Sequence, residues 1–293
     1  MFTILGLDPT VSVLLVLVFL FVFAVGAGLL GGMLGLGGGV FIVPMLILLF
    51  GLSPPVAIAT SLVAVIATSS GAASTYASEG LADLRIAMFL EVATVIGGVL
   101  GAIVTVAVLA HAPDLLVLAF VPVVLVPAGL MFRQRRSDTV RDPPRDAWAD
   151  RLRLHGEYYD EGGHRIDYRV TGTRAGLALS GIAGVLSGLF GIGGGIVYVP
   201  AMNGFMNVPI RVAGATSNFM IGMTASASAI IYLFAGEVAL FWCAPIVVGM
   251  MVGSRLGIGY QRSASVSQLK VTFAVVLVVA AILMALRGVG VLA

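Results

Sequence analysis

The chain has 293 residues, 59% of them hydrophobic and 10% charged, with a formal net charge of +2. Soluble domains carry about 25% charged residues, so this composition excludes a soluble globular protein, and no basic stripe suits nucleic acid. The single cysteine, Cys243, excludes an internal disulfide and a metal cluster built on cysteine.

In chain order, residues 11–34 begin an uncharged stretch that reaches Gly51. No basic residue precedes it, and it far exceeds the roughly 7–15 residues of a signal-peptide core, so it reads as a retained span. "GLGGG" at 35–39 interrupts it, and the piece that follows, 40–50, is too short to cross a core of about 30 Å by itself. It either re-enters or borrows length from its neighbours. Residues 56–77 carry Ala59-Thr60-Ser61. Residues 86–110 follow Arg85, hold Glu91 about two turns inside, and place Gly97 and Gly101 on one helix face, a packing pattern. His111 and Asp114 read as a solvated turn before 115–132.

Residues 133–174 form a polar linker with ten of the sixteen basic residues and eight of the fourteen acidic ones. "RDPPRDAWADRLRLHG" is polar and proline-broken, while "EYYDEGGHRIDYRV" alternates around Gly162-Gly163 and predicts a two-stranded hairpin. Hydrophobic pieces then resume at 175–190, a short 196–206, 212–235 with Ala215-Thr216-Ser217-Asn218, 238–260, and 266–286. Cys243 reads as a small packing residue; Gly249, Gly253 and Gly257 repeat the four-residue spacing, and Arg255 lies near the end of its segment.

The two sides of the linker repeat each other. An ungapped shift of 156 superposes GLGGG on "GIGGG" at 191–195, Pro44 on Pro200, Thr60-Ser61 on Thr216-Ser217, Thr68 on Thr224, Tyr76 on Tyr232, and Gly97 and Gly101 on Gly253 and Gly257. Five crossings in the first unit would invert the second. The expectation is an all-α polytopic membrane protein of two inverted repeats, each with about four long helices and one short one, giving eight to ten membrane segments. Residues 1–132 are the first repeat, 133–174 the linker with its small extramembrane β-hairpin, and 175–293 the second repeat. If the linker is cytoplasmic, Arg85, Arg211, Arg262 and Lys270 share its side of the cell membrane, the N-terminus lies outside, and only Arg287 dissents.

Three adjacent glycines point in all directions and free the backbone rather than build a packing face. A helix starting after such a break presents unpaired N–H groups and a positive dipole end, which suit an anion. No Lys-Ser or Lys-Thr follows, so a nucleotide loop is disfavoured. The expected anion site comprises Gly37, Gly38, Gly39, Thr60 and Ser61 with Gly193, Gly194, Gly195, Thr216, Ser217 and Asn218. Glu91 is a candidate for carrying a coupling proton or, with Arg255, for an ion pair. No metal-ligand spacing, catalytic grouping or cofactor motif is present, so an enzyme is not expected.

Those features, GLGGGVFIVP at 35–44, GIGGGIVYVP at 191–200, the Ala-Thr-Ser elements and the late "GMMVGSRLG", resemble the TauE/SafE sulfite-exporter family over nearly the whole chain outside the linker. The resemblance implies export of a small sulfur-containing anion such as sulfite or an organosulfonate, by alternating access. A passive anion channel is the nearer alternative, and a membrane-embedded enzyme or assembly factor the more distant one.

Overall fold

Runs of apolar residues punctuated by glycine and proline fold here into helices. The computed structural model describes residues 9–109, 112–133, 144–159 and 163–263, and from the last segment 268, 271, 275, 278–279 and 281–286. His111, Lys270, Arg287 and ten of the twenty-one residues 266–286 lie outside the described residues. The first repeat gives α1 (Pro9–Leu34), α2 (Gly39–Phe50), α3 (Pro54–Ser78), α4 (Leu84–Ala107) and α5 (Pro113–Arg133). The linker gives α6 (Ala147–Leu152) and strands β1 (Gly156–Tyr159) and β2 (Arg165–Tyr168). The second repeat gives α7 (Thr173–Phe190), α8 (Gly195–Pro200), a π-helical turn (Ala201–Phe205), α9 (Ile210–Phe234) and α10 (Leu240–Ser263). Six of these helices, α1, α3, α4, α7, α9 and α10, are long and apolar enough to cross a membrane.

Three details differ from expectation. Asp114 lies in the first turn of α5 rather than in a loop, where its charge favours the helix dipole. The proline-broken part of the linker contains α6, because Asp146 caps it by accepting from Trp148 and Ala149 N–H. The second short piece does not continue as one α-helix: after Pro200 it widens into the π-helical turn, whereas α2 runs straight through the equivalent Pro44.

The polarity of the bundle is that of a protein in lipid. Along α4, Met88, Val92, Ile96 and Leu100 recur every fourth residue on the exposed face, while Leu90, Glu91, Thr94, Gly97 and Gly101 face inward. A large apolar outer surface around a small-residue interior is what a multi-pass membrane protein requires, since lipid solvates the former and close packing needs the latter.

The repeats are interleaved. α1 packs most extensively on α10, α7 on α4, and α3 on α9. At the first two contacts glycine allows backbone to meet backbone. A Cβ at Gly97 would strike Gly181 O and at Gly253 would strike Val25 O, which are equivalent positions in the two repeats. Gly28 and Gly184 meet Met250 O and Thr94 O in the same reciprocal way.

The hairpin pairs antiparallel, with Gly156 opposite Tyr168 and Tyr159 opposite Arg165. It is fastened to the bundle. Tyr168 OH donates to Asp83 Oδ2 at 2.6 Å, Asn207 Nδ2 donates to Arg169 O at 3.2 Å, and Thr171 N–H donates to Met206 O at 3.1 Å. Burial, with the adjacent Asp83 charge, pushes the Tyr168 hydroxyl well above its ordinary pKa, so it stays a donor.

Candidate functional site

A helix that stops inside a bilayer leaves carbonyls without partners, and lipid supplies none. Both breaks stop their helix with left-handed glycines at matching places: Gly35, Gly37 and Gly38 at φ 70, 73 and 78°, and Gly191, Gly193 and Gly194 at 65, 76 and 74°. This conformation is strained for any residue with a Cβ.

The two breaks lie against one another. A Cβ on Gly39 would strike Gly191 O, and one on Gly195 would strike Gly35 O. The carbonyls freed by each break are taken by the opposite repeat. Ser61 Oγ, on α3, donates to Gly191 O at 2.8 Å, and Ser217 Oγ, on α9, donates to Gly35 O at 2.9 Å. One turn earlier each repeat serves itself: Tyr76 OH donates to Gly32 O at 3.0 Å and Tyr232 OH to Gly188 O at 2.8 Å. Val65 and Ile221, themselves repeat equivalents, stand against both Gly37 and Gly193 and fill the space at the junction.

The structure therefore brings Gly37, Gly38, Gly39, Gly193, Gly194 and Gly195 together with Ser61 and Ser217. The serine hydroxyls are directed to backbone carbonyls rather than to an open space, because a buried carbonyl without a donor is costly. Asn218 stands by the first break, its Nδ2 donating to Gly214 O at 3.0 Å and to Gly32 O at 3.4 Å. Its Oδ1 has no partner among the described residues. Thr60 and Thr216 are buried, and the Oγ1 of Thr60 has no hydrogen-bond partner among the described residues. Thr60 lies beside Cys243 of α10, and Thr216 Oγ1 accepts the Asp83 N–H at 2.9 Å.

Glu91 and Arg255 are not brought together. Arg255 is on the exposed face of α10, whereas Glu91 is only 5% exposed, between α4 and α9. Its Oε1 accepts from Thr224 Oγ1 at 3.1 Å. Thr224 also lies 3.0 Å from Thr94 Oγ1 and 3.3 Å from Tyr198 OH. Thr94, Tyr198 and Thr224 carry no motif of their own. The signal that finds three members of this cluster is departure from the repeat: Tyr198 stands where the first repeat has Ile42, and Glu91 and Thr94 where the second has Val247 and Met250. Among the described residues no group of three or more His, Cys, Asp or Glu side chains could hold a metal ion.

Residues 20–284 match the family described as Sulfite exporter TauE/SafE. The chain is 28% identical over 268 residues to the probable membrane transporter protein YunE of Bacillus subtilis (strain 168), covering 89% of this chain and 94% of that one. It is 41% identical over 59 residues to sulfite exporter TauE/SafE family protein 5 of Arabidopsis thaliana, a match spanning 20% of this chain and 13% of the plant protein. No solved structure matches it at a significant level.

Proposed function

From a chain that belongs to the TauE/SafE family of membrane transporters, we propose a secondary transporter that exports a small anion, sulfite or an organosulfonate, across the cell membrane by alternating access of two inverted repeats. The observation that carries this reading is the junction of the two glycine breaks, each completed by a serine of the other repeat. Backbone N–H groups of Gly37, Gly38, Gly39, Gly193, Gly194 and Gly195 bind the anion, and Ser61, Ser217, Asn218, Thr60 and Thr216 surround it as the junction opens. These donors are uncharged, so they can hold an anion and also release it. Val65 and Ile221 close the junction in this structure, and they must part for the anion to enter.

Inversion is supported by the linker contacts. The turn that follows α3, at Asp83, and the turn that precedes α9, at Asn207, both meet the linker, although α3 and α9 are repeat equivalents. On this reading equivalent helices point opposite ways relative to one landmark. The linker is arginine-rich and shares that side with Arg85 and Arg211, which supports a cytoplasmic linker and an outer N-terminus.

Sulfite flux into proteoliposomes tests the proposal. Gly38→Leu and Gly194→Leu, each forcing a branched side chain into a left-handed position against packed atoms, are expected to lower flux at least about tenfold. Wild-type flux in both variants would overturn it.

A further inference from the structure

We propose that Glu91 is a proton-binding carboxyl wired to the second glycine break alone, so that only one half of the anion site responds to protonation. This deepens the transport reading above and rests on it.

The hydrogen bonds allow two arrangements of one proton. Thr94 Oγ1 donates its own hydrogen to Glu91 O at 3.0 Å, so it can only accept from Thr224. Thr224 has one hydrogen and two acceptors in reach, Glu91 Oε1 and Thr94 Oγ1. With Glu91 ionised, Thr224 donates to the carboxylate and Tyr198 donates to Thr224. When Glu91 takes up a proton from water on Oε1, it donates to Thr224, whose hydrogen turns to Thr94. Thr224 Oγ1 then accepts from Glu91 on one lone pair and from Tyr198 on the other, and the turn of its hydrogen to Thr94 re-aims the lone pair that Tyr198 uses. Tyr198 keeps its own proton throughout. The second carboxyl oxygen, Oε2, is buried with no partner among the described residues, so it can change its charge without breaking another bond.

Tyr198 carries the change to the break. Its ring lies over Gly194, where an added Cβ would stand 2.7 Å from the hydroxyl. Tyr198 belongs to α8, the short helix that starts at that break and loosens into the π-helical turn after Pro200. Such turns inside helices occur often at functional sites.

The first break provides an internal control. The positions equivalent to Glu91, Thr94 and Tyr198 are Val247, Met250 and Ile42. Thr68, the equivalent of Thr224, turns back to Ala64 O of its own helix at 3.0 Å. Gly38 is covered by the Met250 methyl group, and the polar group added at that break is the neutral amide of Asn218.

Among the described residues no cation neutralises Glu91. Besides it, the titratable side chains on α4 and on the helices around the cluster, α7, α8 and α9, are Arg85, Arg174, Tyr198, Arg211 and Tyr232. Tyr198 faces it and Tyr232 is committed to Gly188 O. The three arginines stand in the first turns of their helices; Arg85, on the same helix, is about 9 Å away along the axis at 1.5 Å per residue.

The test uses the full chain in proteoliposomes with sulfite, comparing wild type, Glu91→Gln and Thr224→Val, with the membrane potential clamped. In the wild type, one pH unit sustains up to about a tenfold sulfite ratio per coupled proton. Glu91→Gln, isosteric and fixed neutral, is expected to keep sulfite exchange within about twofold of wild type while the accumulation ratio falls to about one and the pH profile flattens. Thr224→Val is expected to keep the carboxyl but weaken the pH dependence of exchange. Retained accumulation and pH profile in Glu91→Gln, or loss of exchange along with accumulation, would overturn the proposal. A readout that needs no substrate separates its failure from that of the transport reading: infrared difference spectra between acid and alkaline pH. A titrating carboxyl carbonyl band in wild type that is missing in Glu91→Gln supports the inference, and its absence from the wild type overturns it even if sulfite is transported.

Discussion

Ser61 and Ser217 occupy the same place in their repeats, yet each donates to a glycine carbonyl of the other repeat, 130 and 182 residues away in sequence. A hydroxyl so placed fixes where one break stands relative to the other. Ser61→Ala or Ser217→Ala leaves a buried carbonyl short of its donor and is expected to cost about 1–2 kcal/mol. Thermal unfolding in detergent should show nearly equal losses for the two, the smaller at Ser217, whose hydrogen is shared with Gly214 O. The glycine run and the hydroxyls could be read from sequence because each recurs at one shift. Their pairing could not, since a repeat says which residues are equivalent and not which ones touch. Thr60 shows the same limit: it shares the motif with Ser61, but one residue along a helix turns the side chain by roughly 100°, toward Cys243.

Helices α1, α4, α7 and α10 meet through glycine, and the meeting is close enough that a methyl group has no place. Gly97→Ala and Gly253→Ala would each press on a carbonyl of the facing helix, and an expected cost of about 1–3 kcal/mol follows from forcing the pair apart. Gly26→Ala is the control: it lies in α1 with nothing within 4 Å of an added Cβ, and a neutral to slightly stabilising effect is expected there. Unfolding midpoints of the three variants check this contrast. Spacing alone identified Gly97/Gly101 and Gly253/Gly257 as packing faces. It left their partners open, because Gly28 and Gly184 are set among other glycines whose face is not evident before the break is placed. The short α6 escaped notice for another reason. Six residues give too little periodicity to read, and its stability comes from the Asp146 cap.

At the scale of the molecule, the linker ties the two repeats together at one end. Asp146 caps α6 and also accepts from the backbone and hydroxyl of Thr173, where α7 begins. Burial alone would raise its pKa, but the hydrogen bonds from Thr173, Trp148 and Ala149 outweigh it and hold the carboxyl below its ordinary range. A depressed folded value contributes stability that is present above the ordinary carboxylate pKa and lost as pH falls through the lower one. Hydrogen-exchange protection at the start of α7 should therefore stay level from neutrality to about pH 4 and decline below it, and Asp146→Asn should remove that acid limb. The broad plan of this molecule, a membrane bundle with a hairpin-bearing linker, follows from composition and alternation; the docking of the hairpin on Asp83 and Asn207 does not, since those turns are distant in sequence. The interleaving also bears on how the protein is made. α1 leaves the ribosome long before α10, yet α10 is its main packing partner. At roughly 5–20 residues per second, the chain between them takes on the order of 10–40 s to synthesise. Throughout that interval a newborn helix with an open glycine face waits in the membrane, and whatever shields it there guards the fold.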